Sequence, residues 1–139
     1  MEKRYNIELG FDELCLIERA LELYARVGLL QFDRLSLCSS LQSFLWKKDA
    51  AKEFDAMTDG LKYLLNVSRN EYLPIGDKEN VHDDVREAFH IYEIIRHQRY
   101  LDRVKENPEE RNYFGMDNFP AKTCQVYGMD IPQFKIISQ

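Results

Sequence analysis

The chain carries none of the short signatures that fix a reaction. It has no G-x-S-x-G, no G-x-x-x-x-G-K-[ST], no H-E-x-x-H and no G-x-G-x-x-G, so the nucleophile elbow, the phosphate loop, the zinc-protease helix and the dinucleotide turn are all excluded. No cofactor is expected from its motifs. Cysteine is scarce: Cys15, Cys38 and Cys124 are widely spaced and form no C-x-x-C pair, which argues against a structural zinc site or a disulfide framework. Cys15 and Cys38 stand in apolar surroundings and are expected to pack in the core. No run approaches the roughly eighteen apolar residues that cross a bilayer, and the first residues, MEKRYNIELGFDEL, hold no apolar signal segment. A cytoplasmic setting is therefore expected, with no membrane partner. Positive charge is in deficit as well: 19 Lys and Arg against 24 Asp and Glu leave a net charge of -5, which disfavours binding to nucleic acid through its phosphates.

What the chain does have is apolar content of 45%, spread evenly over 139 residues. That is incompatible with disorder and of the right length for one globular domain spanning 1–139. Arg4 to Leu9 alternate, with Tyr5, Ile7 and Leu9 on one side, which is the period of a half-buried strand. Asp12 is placed to cap a helix over about Glu13–Val27, ended by Gly28, whose apolar stripe runs through Leu14, Ile17, Leu21 and Tyr24. Asp33 can cap a second helix reaching Trp46. A third starts near Asp49 with Phe54, Met57, Leu61, Leu64 and Leu65 inward and Gly60 in its middle.

Ser68 to Asn80 is polar, contains Pro74 and Gly76, and reads as the longest loop. The fourth helix, about Val81–Lys105, places Val81, Val85, Ala88, Tyr92 and Ile95 at spacings of 4, 3, 4 and 3. That seam packs on another helix, of this chain or of a second copy in a homo-oligomer. After Pro108 only short segments follow, around Gly115, Pro120, Gly128 and Pro132. Phe134 to Ile137 could form a strand beside the N-terminal one. The expected fold is mainly α, formally α+β: about four packed helices with a small antiparallel sheet made by the terminal segments.

All three histidines fall between 82 and 97. On a helix, His82, Arg86, His90, Glu93 and His97 lie within about 80° of one another, between the apolar seam and an acidic face of Asp83, Asp84 and Glu87. One reading is a boundary face whose side chains hydrogen-bond to neighbours. A second is a metal held by His90, Glu93 and His97, serving a hydrolase; His82 lies roughly 20 Å from His97 along such a helix and cannot join it. A third is a site for an anion or a partner, with Arg86, His90, Arg96 and His97 as polar members and Tyr100 as a stacking platform. If the first and fourth helices pack together, Arg26 and Gln31 join this site. The alternative for Arg26 is an ion pair with Glu22 one turn away.

The segment LELYARVGLLQFDRL, followed by EAFHIYEIIRHQRYLDR and a short tail with a proline before its last strand, resembles a scattered family of small proteins encoded by tailed bacteriophages. The likeness rests on Tyr24, Arg26, Gln31, Phe32, Tyr92, Ile95, Arg96 and His97. It departs from the family at Leu30, where other members carry glycine before the glutamine. The resemblance implies origin more than mechanism. By analogy with phage proteins of this size, it implies a non-enzymatic binder in the host cytoplasm that counteracts defence by sequestering a nucleotide-like signal or by blocking a host protein.

Overall fold

The computed structural model describes residues 2–109 and 134–138. Within them the chain is mainly helical: α1 (Phe11–Gly28), a short 3-10 helix (Phe32–Leu37), α2 (Ser39–Lys47), α3 (Ala51–Leu64) and α4 (Asp83–Glu106). The described residues contain no strand, so the expected terminal sheet is absent from them. Residues 4–9 are non-helical and exposed, Tyr5 by 80% and Ile7 by 76%, and 134–138 are irregular too. Alternation prescribes a pleat but supplies no second strand to pair with, and an isolated pair is marginal in water. Cys124 and the segments around Gly115, Pro120, Gly128 and Pro132 lie outside the described residues.

The first helix begins at Phe11, and Gly10, not Asp12, is its N-cap; Asp12 and Glu13 instead sit in the first turn, where they complement the helix dipole. The expected second helix is two pieces. Cys38 is extended, at φ -69° and ψ 113°, in a run of hydroxyl side chains that compete for backbone groups; Ser36 Oγ donates to the Asp33 carbonyl at 3.0 Å. This places Cys38 on the surface, contrary to expectation, while Cys15 is half-buried.

Three helices end the same way. Leu30, Asp49 and Asn66 adopt φ of 63°, 49° and 58°, and the next residue in each case donates its amide five residues back: Gln31 to Arg26, Ala50 to Leu45 and Val67 to Lys62, each at 2.9 Å. This is the Schellman ending, normally built on glycine. Asn and Asp tolerate the left-handed region, and Leu30 adopts it at a cost of roughly 1–2 kcal/mol. Gly28, expected to stop α1, is still helical. Its role is close approach: a Cβ there would lie 2.5 Å from Val85 Cγ2.

The core is the contact between α1 and α4. Val81, Val85, Ala88, Tyr92 and Ile95 are all buried as α4 packs on α1, with Leu29 clustered on Val81 and Val85, so the seam is covered within the chain. Tyr24 reinforces the pair by donating its hydroxyl to Asp84, which holds the Asp84 carboxyl below and the phenol above its ordinary range. The loop before α4 is hooked to α1 by the Leu73 amide, which donates to the Leu29 carbonyl at 3.0 Å.

Helix α3 sits the other way round from expectation. Met57 and Leu64 are 74% and 77% exposed, Leu61 and Leu65 are exposed as well, and only Phe54 of the expected inward set is half-buried. Thr58 and Lys62 face the body instead. Among the described residues, no helix is long and apolar enough to cross a membrane.

Candidate functional site

The polar stripe of α4 is packed inside the protein. His82 is its exposed N-cap residue. Arg86 is 2% exposed; its guanidinium donates to the carbonyls of Ile75 and Asp77, each at 3.4 Å, and pairs with Asp83. Asp77 is itself fixed, accepting from the Asn80 side-chain amide at 2.9 Å and from the backbone amides of Asn80 and Glu79 at 3.1 Å, contacts that lower its carboxyl pKa. His90 and Glu93 are buried, and His97 is half-buried, stacked on Tyr100 with ring centroids 6.0 Å apart. The stripe is thus a second covered flank of α4, and Arg86 clamps the preceding loop.

Burial pushes the His90 imidazole below its ordinary value of 6.5, against an opposing pull from Glu93. The folded protein therefore takes up this proton less readily than the unfolded chain. Stability should be level above about pH 6.5 and fall as pH drops below it, because only the unfolded state is protonated there. An NMR titration of the His90 ring should show a midpoint under 6.5, and His90→Asn should flatten the acid side of the melting profile; a midpoint above 6.5 would contradict the assignment.

Two concavities flank this region. The larger, about 410 Å³, lies between the end of α1, the 3-10 helix, α3 and the loop after it. Helix α1 and its exit supply Arg26 and Gln31, joined by a 3.1 Å hydrogen bond from Arg26 Nη1. The Schellman bend at Leu30 makes that pairing possible by turning Gln31 back on the helix. Arg26 also pairs with Glu22 at 3.5 Å and lies 5.2 Å from the centre of the Phe89 ring. Helix α3 supplies Asp55, Thr58, Asp59 and Lys62. Lys62 Nζ donates to the carbonyls of Arg69, at 2.9 Å, and of Glu71, so a buried ammonium organises the loop that forms the opposite wall. Arg69 Nε reaches Asp59 at 3.0 Å. Arg34, Asp33, Asn70 and Tyr72 complete the lining.

The smaller groove, about 170 Å³, is formed by Tyr92, Arg96, Arg99, Tyr100 and Arg103 of α4 with Glu18 of α1. Glu18 pairs with Arg99, and the Arg96 guanidinium stands 5.1 Å from the centre of the Tyr92 ring. Tyr92 meets Phe89 edge to face at 5.7 Å, so Arg26, Phe89, Tyr92 and Arg96 form a continuous row of cation and ring contacts between the two concavities.

The seven residues singled out from sequence are thereby divided. Arg26 and Gln31 line the larger cleft, Arg96 and Tyr100 line the smaller groove, and Arg86 and His90 are buried. His97 lines neither concavity. Thr58, Asp59 and Lys62 signal themselves in the sequence only by sharing one side of α3 with Asp55, and Arg69, in the loop after it, carries no such signal. Among the described residues, no group of three or more His, Cys, Asp or Glu side chains is placed to hold a metal ion. No protein-family model matches the chain, and comparison with curated proteins and with solved structures gave no match either.

Proposed function

We propose that this is a non-enzymatic, phage-encoded binding protein that sequesters a nucleotide-like small molecule in the cleft between α1 and α3, and thereby counteracts host defence. One observation carries the reading: α3 turns its polar side toward the body and, with Arg26 and Gln31, lines a space of about 410 Å³, within the range of roughly 300–1,000 Å³ typical of small-molecule sites. Lys62 and Arg69 hold the walls of the cleft together from within the chain, and Asp55 stays exposed in its lining, open to a polar occupant. The lining interleaves cations (Arg26, Arg34, Arg69) with acceptors (Asp33, Asp55, Asp59). That mixture suits a ligand bearing both an anionic group and hydrogen-bond donors, as a phosphate, a sugar and a base together do. Tyr72, 58% exposed at the cleft, offers a ring on which a base can stack.

Thermal melting against a panel of cyclic and linear nucleotides tests this. A ligand present at 100 times its Kd adds about 2.7 kcal/mol, and Arg69→Ala should abolish that shift while changing the unliganded melting point little, since an exposed ion pair contributes about 0–1 kcal/mol. The bound compound should be recovered intact. Flat curves across the panel would end the nucleotide reading.

A further inference from the structure

We infer that two copies of this chain associate through the outward face of α3, crossing in antiparallel sense at Gly60. With Gly60 as reference and 100° per residue, Glu53, Ala56, Met57, Tyr63 and Leu64 fall within about 60° of it, and Thr58 and Lys62 lie on the opposite side. The buried side of this helix is polar and its outward side apolar, the reverse of a helix that packs only on its own chain. Met57, Tyr63 and Leu64 are 74%, 88% and 77% exposed. Together these three present surface on the order of 500 Å², within the range of the largest patch a monomer displays and more than half of the roughly 800 Å² per partner that a stable interface buries.

Gly60 supplies the crossing point. It stands in the interior of α3, where glycine weakens a helix relative to alanine, yet a Cβ there would meet nothing within 4 Å. Contacts among the described residues give no reason for it. Close approach of a second backbone does, and Ala56, exposed one turn earlier, widens the shallow strip.

The face is complementary to itself. A two-fold axis at Gly60 sets Ala56 beside the partner's Tyr63 and Met57 beside the partner's Leu64, so the short side chain receives a long one and residue i meets j as j meets i. Glu53 is the one charge on this face. It sits at the edge, and the two copies of it end roughly 20 Å apart at 1.5 Å per residue, beyond the screening length in ordinary buffer.

Sedimentation or light scattering of the full chain over a dilution series, without any nucleotide, should show a dimer that dissociates on dilution. Leu64→Glu should raise the dimer Kd by about a hundredfold or more while the melting of the dilute, dissociated chain is unchanged, since this side chain is exposed there. Gly60→Ala separates the two roles by sign: it should raise the melting temperature of the dissociated chain and weaken the dimer about tenfold. A monomer at every concentration, or a dimer whose Kd is indifferent to both substitutions, would overturn the inference. Neither outcome depends on the ligand panel, so the two proposals fail separately.

Discussion

Replacing Gly28 by valine is expected to lower the melting temperature by about 10 °C, through a loss of roughly 3 kcal/mol. The cause is the crossing of α1 over α4. A Cβ at position 28 would lie 2.5 Å and 2.8 Å from the two Val85 methyl carbons and 3.3 Å from Val85 Cβ. Val85 is buried and β-branched, with its branch at the backbone, so no rotation of a long side chain relieves the contact. The helices must separate instead, which loosens Leu29, Val81 and Val85, the cluster at the crossing. Intrinsic propensity pulls the other way, since any residue other than proline favours a helix over glycine, by up to about 1 kcal/mol for alanine. The clash exceeds that gain. Val85→Ala in the same background should recover part of the loss, and a double-mutant cycle over the two positions should show coupling above about 0.5 kcal/mol. Additive effects would show that the two side chains do not meet.

Arg86→Met is expected to cost about 3 kcal/mol, because hydrogen bonds from a charged donor contribute roughly 1.5–3 kcal/mol each and those here, at 3.4 Å, belong at the low end. The two carbonyls it serves, of Ile75 and Asp77, belong to a stretch with no helix or strand of its own. Asp83, the third partner, is 82% exposed and returns to water at little cost. Arg86→Lys should recover only a fraction, since one ammonium cannot reproduce a guanidinium whose Nη1 donates to both carbonyls while its Nη2 pairs with Asp83. Limited proteolysis should show cleavage near 75–80 in the Met variant before any global unfolding. A variant that melted like the parent but lost ligand binding would assign Arg86 to recognition instead.

How far the sequence reveals this architecture depends on what each kind of pattern encodes. The seam from Val81 to Ile95 was legible because a long helix with one apolar side and an equally apolar α1 leaves little choice of partner. The same periodicity in α3 identifies which residues share a side but not which side meets the body, and Met57 and Leu64 consequently point away from it. Arg26 and Gln31 belong to one site on the sequence reading, but the left-handed turn that brings them together is not encoded by residue type, because position 30 is leucine where the resembled family carries glycine. Arg86 and His90 were correctly grouped on one side of α4. The placement of Arg86 depends on Ile75 and Asp77, whose carbonyls say nothing through side-chain type. The larger cleft joins α1 to residues 55–72 through reversals at Asp49 and Asn66, a long-range placement that no local spacing discloses.

Between Phe32 and Val81 the chain contributes no fully buried apolar side chain. The two helices that hold the molecule together are therefore the ends of an excursion of roughly fifty residues, whose closure entropy rises only with the logarithm of its length, about 0.6 kcal/mol per doubling. That intervening arm carries most of the polar cavity and all of the bare helical ridge, and it is moored to the paired rods at its far end, where Leu73 and Ile75 pack on the core and Arg86 holds the carbonyls of Ile75 and Asp77.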